Sequence, residues 1–186
     1  MEQNIEETQP TLMNHAVKWG VIVGVINIIL LLLIYVIDIT LLANWWVGIL
    51  FLIINLIVVI YAGINFRNTG DGYLRFGKAF TYSFVLLIVA GLIGLVFRII
   101  LFLVIDPDAV SVIADATVDK TEQMLSNFGM DDSQIDEAVE KARENVVKQY
   151  TVSGMFIGYL ISIIFAAIGA LIVGAIIKKK NPEEEI

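Results

Sequence analysis

Few side chains in this sequence could do chemistry, and most of them stand inside apolar runs. Arg98 interrupts the 27 residues from Ala79 to Ile105, which carry no other charge. An ionisable group at the centre of a bilayer costs at least about 2.5–3.5 kcal/mol on insertion scales, so such a residue is a functional candidate by default. Two roles fit it. A helix that begins at Lys78 brings Arg98 about 30 Å along its axis, to the outer edge of a hydrocarbon core. There its guanidinium reaches headgroups. In the second role Arg98 is buried and pairs with Asp38, Asp106 or an asparagine. Both aspartates follow a Val-Ile pair at the outer end of an apolar run. Asn27 and Asn55 lie near the middle of the first and second runs. An amide in hydrocarbon takes a partner across a helix interface, worth about 0.6–2 kcal/mol. The pair reads as interhelical glue, with a polar pathway lining as the alternative.

Other chemistries lack their residues. There is no cysteine, which removes disulfides, thiolate metal sites and a cysteine nucleophile. The single histidine, His15, stands before the first run and reads as an interfacial side chain. No nucleophile–base set, metal constellation or paired-carboxylate site assembles, so the expectation is a protein without cofactor that is not an enzyme. The glycines and bases between Arg67 and Lys78 follow no strand and match neither phosphate-binding pattern. They read as a turn and an interfacial segment with basic and aromatic anchors. The acids around Met130–Asp136 lack the alternation and central glycine of a calcium loop.

The elements that position these residues are set by composition. Of 186 residues 58% are hydrophobic and 17% charged, against roughly 45–50% and about 25% in soluble domains. The excess falls in four runs: Trp19–Ile37, Asn44–Phe66, Ala79–Ile105 and Val152–Ile177. Each reaches or approaches the roughly 20 residues that cross a bilayer. Pro10, Pro107 and Pro182 all lie outside them. Soluble helices of this length would carry a polar stripe, and barrel strands would alternate over about ten residues. The fold predicted is therefore all-α, a four-transmembrane-helix bundle forming one integral domain, with spans at about 17–37, 44–66, 79–105 and 152–177. Glu2, Glu6 and Glu7 stand where a cleavable signal peptide is positive, so the first span is expected to remain as an anchor.

Lysine and arginine set the orientation. Lys18, Arg67, Arg75, Lys78, Lys178, Lys179 and Lys180 gather on one side, with both termini. The opposite side receives the short Asp38–Ala43 turn, without a base, and residues 106–151, with four bases among eleven acids. Both termini are expected to be cytoplasmic, with Trp45 and Trp46 at the outer interface and Trp19 at the inner one. The insert 106–151 holds the whole net charge of −7. Its sign repels nucleic acid and anionic headgroups.

Within the insert, Val110, Ile113, Ala114, Thr117, Thr121, Met124, Leu125 and Phe128 recur on one helix face. Gly129 stops that helix. Asp131 and Gln134 have capping-box spacing for a second one, with Ile135, Ala138, Val139, Ala142, Val146 and Tyr150 on its apolar face. The prediction is an extracytoplasmic helical hairpin between the third and fourth spans. In the fourth span Gly154, Gly158, Ser162, Ala166, Ala170 and Gly174 recur every four residues. Small residues at this spacing let backbones approach closely. The row drifts about 40° per step, so it suits two successive contacts, within the chain or in a homo-oligomer. Gly20 and Gly24 repeat the spacing in the first span.

Three stretches carry a family likeness: Lys18-Trp19-Gly20, Asn44-Trp45-Trp46, and Gly72-Tyr73-Leu74-Arg75-Phe76-Gly77-Lys78-Ala79-Phe80. With them the chain resembles, over nearly its whole length, a bacterial membrane family catalogued as domain of unknown function 4199. The resemblance implies a multi-pass protein of a bacterial inner (cytoplasmic) membrane and brings no functional residue with it. The function expected from both lines is non-enzymatic, structural or partner-binding. Its partners would be the lipid bilayer and a homo-oligomer or another membrane protein. The alternative is a small oligomeric transporter or channel that uses Arg98, Asn27 and Asn55.

Overall fold

A computed structural model describes residues 11–181. Glu2, Glu6 and Glu7, on which the signal-peptide argument turns, lie outside them, as do Pro10 and Pro182. The described chain is all-helical. Helix α1 (Leu12–Asp38) runs into a 3-10 turn (Ile39–Ala43) and is followed by α2 (Trp45–Thr69). Helix α3 (Phe76–Ile100) continues through a π turn (Leu101–Ile105). The hairpin α4 (Ala109–Asn127) and α5 (Asp132–Gln149) precedes α6 (Val152–Ile177). Four of these elements are long and apolar enough to cross a membrane: Leu12–Ala43, Trp45–Thr69, Phe76–Ile105 and Val152–Ile177.

The first helix starts earlier than the charge-free run because Thr11 caps it, its Oγ1 accepting from the Asn14 N–H at 3.3 Å. That cap carries Lys18 into the helix. Thr151 does the same for α6 through the Gly154 N–H, at 3.0 Å. Gly129 ends the turn between α4 and α5 with φ +71°, a left-handed conformation that glycine adopts without steric cost. Asp131 stands at the N-cap of α5, but its side chain makes no capping bond, so the capping box is not formed.

Helix α3 is the centre of the bundle and packs extensively against both α1 and α6. Helix α2 touches α1 and α6 along shorter stretches. One buried cluster joins Ala16, Val59, Ala62, Tyr82, Leu86 and Ile177. A second, toward the α4–α5 hairpin, joins Leu31, Leu95, Phe102, Ile113, Tyr150 and Met155. The π turn closes with a bond from the Asp106 N–H to the Leu101 carbonyl, 2.8 Å. Its extra residue per turn leaves both Leu101 and Phe102 buried, at 1% exposure each.

Small residues make the α3 seams. A Cβ added at Gly20 would lie 2.7 Å from Val89 Cβ and 2.9 Å from the Leu86 carbonyl oxygen. At Gly24 it would meet Ile93 at 2.9 Å, and at Gly174 the Phe80 backbone nitrogen at 3.1 Å. The row on α6 does not serve one contact throughout. Ala170 and Gly174 are buried against α3, whereas Gly158 and Ser162 are exposed and Gly158 has open space around it. From Gly158 to Ala170 the drift amounts to about 120°, enough to swing the row from the outside to the seam. Gly158 and Ser162 therefore make no seam within the single chain. Ala166 lies between the two regimes, half-buried. Gly154 is small for a local reason, since a Cβ there would come within 1.9 Å of the Lys148 carbonyl oxygen at the α5–α6 corner.

Overpacking a close seam costs about 1–3 kcal/mol, occasionally more, whereas a surface substitution stays within about 0.5 kcal/mol. Gly20→Leu and Gly174→Leu should therefore lower the melting temperature in detergent by several degrees, with Gly158→Leu unchanged. Equal losses at all three sites would mean that α6 packs through its whole row.

Candidate functional site: intramembrane polar groups

Asn27 on α1 and Asn55 on α2 meet and bond reciprocally. Asn27 Nδ2 donates to Asn55 Oδ1 at 3.0 Å, and Asn55 Nδ2 donates to Asn27 Oδ1 at 2.9 Å. The second amide proton of Asn55 goes to the Phe51 carbonyl, 2.7 Å, on its own helix. Both side chains are half-buried. An amide ring of two such bonds fixes the axial register of α1 against α2, as a paired polar group does between helices.

Arg98, Asp38 and Asp106 are not brought together as a charge cluster. Arg98 sits in the last turn of α3, where a cation complements the helix dipole. Its guanidinium lies over the ring of Tyr150, 5.5 Å from the centroid. Tyr150 in turn meets Phe102 edge-on at 4.8 Å. Burial pushes the Tyr150 hydroxyl above its ordinary pKa, and the Arg98 cation beside it pulls the other way. The carboxylates have backbone work instead. Asp38 Oδ1 accepts from the Thr40 N–H at 2.9 Å and the Thr40 hydroxyl at 2.7 Å, which caps the 3-10 turn. Asp106 Oδ1 accepts from the Ala109 N–H at 3.1 Å at the start of α4, and Oδ2 accepts from the Tyr35 hydroxyl at 2.8 Å. The two Val-Ile-Asp segments are thereby tied, through Tyr35 of one and Asp106 of the other.

The site that residue-by-residue reading missed is centred on His15. The ring is buried, at 7% exposure, near the start of α1. Its Nδ1 lies 2.9 Å from the Tyr82 hydroxyl on α3, and its Nε2 3.2 Å from Asn65 Oδ1 on α2. The Tyr82 hydroxyl also donates to the Ala62 carbonyl at 3.1 Å. Phe66 stacks on Tyr82 with centroids 4.9 Å apart and packs against His15 at 5.2 Å. Proton counting constrains this set. If the Tyr82 proton goes to the Ala62 carbonyl, Nδ1 must carry a proton to donate to the hydroxyl. An amide oxygen facing Nε2 then requires a second proton, which makes the ring cationic. A neutral ring needs Tyr82 to turn its proton to Nδ1, or Asn65 to turn its NH2 toward Nε2. Three helices therefore share one proton-dependent network. Its partners are 50 and 67 residues away from His15, so no local spacing announces it.

The network can hold or pass a proton. No group of three or more His, Asp or Glu suited to a metal occurs among the described residues.

The Asn pair yields a measurable coupling. Asn27→Leu and Asn55→Leu should each lower stability, and the double variant should lose less than their sum, with a coupling of about 0.6–1.7 kcal/mol in a double-mutant cycle. Strict additivity would mean that the amides do not act on each other.

The described chain thus pairs a four-helix apolar bundle with a few internal polar contacts and a charged helical hairpin. Neither the curated proteins nor the solved structures contain a match to it. A family model described as "Protein of unknown function (DUF4199)" matches residues 18–179. That span covers α1 from Lys18 onward, the other three long apolar helices and the hairpin between α3 and α6, and the chain belongs to this family.

Proposed function

We propose that this is a multi-pass membrane protein of a bacterial inner membrane that works by binding a protein partner through the α4–α5 hairpin, without catalysis. The observation that carries this reading is the surface of the hairpin. Residues 106–151 hold eleven acids and four bases. At the tip three apolar side chains stand out: Phe128 at 78% exposure, Met124 at 52% and Met130 at 38%. An exposed phenylalanine and two methionines set among carboxylates suit a partner with a basic rim and an apolar centre, since interface cores are enriched in aromatic residues and methionine. The hairpin base is anchored where Ala109, Ile113 and Tyr150 pack into the second buried cluster. The tip is therefore presented on a fixed stem.

The conduit alternative draws less support. Asn27 and Asn55 satisfy each other, and Arg98 is engaged by Tyr150, so none of the three is left to line a pathway within one chain.

The orientation belongs to the same proposal. Seven bases flank the ends that carry the termini, and the short turn at the opposite end has none, so the positive-inside rule puts both termini in the cytoplasm and the hairpin outside. A reporter fused after Ile186 should be active in the cytoplasm, and one inserted at Gly129 should be active outside. The reverse pattern would overturn the orientation.

A photo-crosslinking residue at Ser126, beside the tip, should give a discrete protein adduct in intact membranes. Phe128→Ser with Met124→Ser should diminish that adduct severalfold while the melting temperature holds. A probe at Ser126 that captures no more protein than one at Ile164, an exposed apolar position of α6, would sink the binding reading.

A further inference from the structure

The opposite end of the bundle from the hairpin holds a cleft of about 540 Å³. It is framed by the end of α2, the loop before α3, and the segment that follows α6. Four cationic side chains line it, Arg67, Arg75, Lys78 and Lys179, with one carboxylate, Asp71. The cleft is a built feature of the backbone. Leu74 and Lys179 form an antiparallel bridge: the Leu74 N–H donates to the Lys179 carbonyl at 2.8 Å, and the Lys179 N–H donates back at 2.9 Å. This bridge ties the loop to the chain after α6, and Leu74 is buried beneath it at 5% exposure. Lys179 is held over the Tyr73 ring, 5.5 Å from its centroid.

Arg67 supplies the independent observation. Its Nη1 donates to the Ile177 carbonyl at 3.0 Å, at the end of α6. Its Nε is buried and has no hydrogen-bond partner. The guanidinium is thus incompletely satisfied within the chain, at a cost in free energy, and it brings its charge to the cleft wall. Guanidinium and phosphate match in geometry through paired N–H donors, and ammonium groups add point charge. Apolar walls around converging cations focus the field further.

We propose that this cleft is a binding site for a phosphate-bearing anion, held by Arg67, Lys78 and Lys179. The phosphate is either that of an acidic phospholipid headgroup or a soluble phosphate. Tyr73 on the cleft wall and Phe76 beside it stand exposed at the ends of the apolar helices, which is the level of headgroups for a chain in a bilayer.

The test uses the full chain in a neutral detergent at low salt. Thermal melting and native mass spectrometry follow titration with short-chain phosphatidylglycerol, with phosphatidylcholine as reference, and separately with inorganic phosphate. The carboxylates of Glu183, Glu184 and Glu185 are present in that chain, so binding is measured against them. The expected result is saturable binding of phosphatidylglycerol or inorganic phosphate above the phosphatidylcholine level. Whichever ligand saturates identifies the source. Lys78→Gln and Lys179→Gln should each weaken that binding about fivefold, as loss of one cation near an anionic surface does. Both lysines are exposed, so these variants should still fold. Lys18→Gln, at an exposed base that does not line the cleft, should leave the affinity unchanged. Arg67→Gln should abolish saturable binding. No saturable binding of either ligand to the wild-type chain would overturn the proposal. So would equal weakening by Lys18→Gln, which marks diffuse attraction to surface charge.

Discussion

Close approach to α3 is what the other helices depend on. In hydrocarbon a leucine gains nothing by exchanging an acyl chain for another leucine, so helix association relies on dense contact and on polar pairing. The outer faces of this bundle are apolar enough for that environment, with Leu52, Val96, Ile164 and Phe165 all exposed. Density is then obtained where side chains vanish. Gly20 and Gly24 admit Val89 and Ile93, and Gly174 admits the backbone at Phe80. Gly91 leaves room for the Tyr159 ring, whose hydroxyl reaches the Ile88 carbonyl at 3.0 Å. Every long helix except α2 meets α3 through such a device. Helix α2 meets α6 at Gly63, where a Cβ would lie 2.5 Å from Ile177 Cδ1, and it adds polar contacts: Asn55 to α1, Asn65 to His15, Arg67 to the end of α6.

That division explains why the polar groups inside the bundle are not spread evenly. A polar side chain placed in an apolar interior needs its partner fixed in advance. The pairs found here join different helices at three levels: His15 with Tyr82 and Asn65, Asn27 with Asn55, and Tyr35 with Asp106. Each sets axial position where a seam of methyl groups would tolerate sliding. Arg98 follows the same logic at the far end of α3. Set against Tyr150 and one helical turn before Phe102, it locks the central helix to the corner from which the hairpin leaves.

How far the fold is legible in the sequence follows from which of these terms are local. Four apolar runs, the Gly129 stop and the amphipathic hairpin are periodicities of neighbouring residues, and the helices lie where they point. The start of α1 shifts by several residues because a single hydroxyl, that of Thr11, decides it, while α6 begins where its apolar run does, behind the Thr151 cap. The facing of Asn27 and Asn55 follows from the antiparallel order of two spans. The destinations of Arg98, Asp38 and Asp106 do not, since charge alone suggests pairing, while the backbone donors of Thr40 and Ala109 claim both carboxylates. His15 is the clearest loss. It resembles any interfacial histidine until Tyr82 and Asn65 are placed beside it, and that placement is tertiary. The small-residue row misleads in part for a simpler reason: spacing by four identifies a stripe, and a stripe on a straight helix turns away from its partner.

The two ends of the bundle use charge in different ways. On the hairpin the bases are engaged locally: Lys141 with Glu137, Lys148 with Glu144, Arg143 with Asp115, and Lys120 with the Thr40 carbonyl at 3.5 Å. The three ion pairs are exposed, and pairs of that kind add little stability. They do cancel three of the four cations, so the surplus carboxylates set the sign of that surface. Those carboxylates are strung along two helices in water, where salt screens them beyond about 8–10 Å. At the other end four cations converge on one cleft, with apolar walls beside them. Their fields therefore add at one point. Charges spread along a solvated surface act mainly on what comes within a screening length, while charges that converge on a cleft add at one point. In a chain with seven net negative charges a local positive site is compatible with the overall sign, because the local field depends on where charges converge and not on their sum.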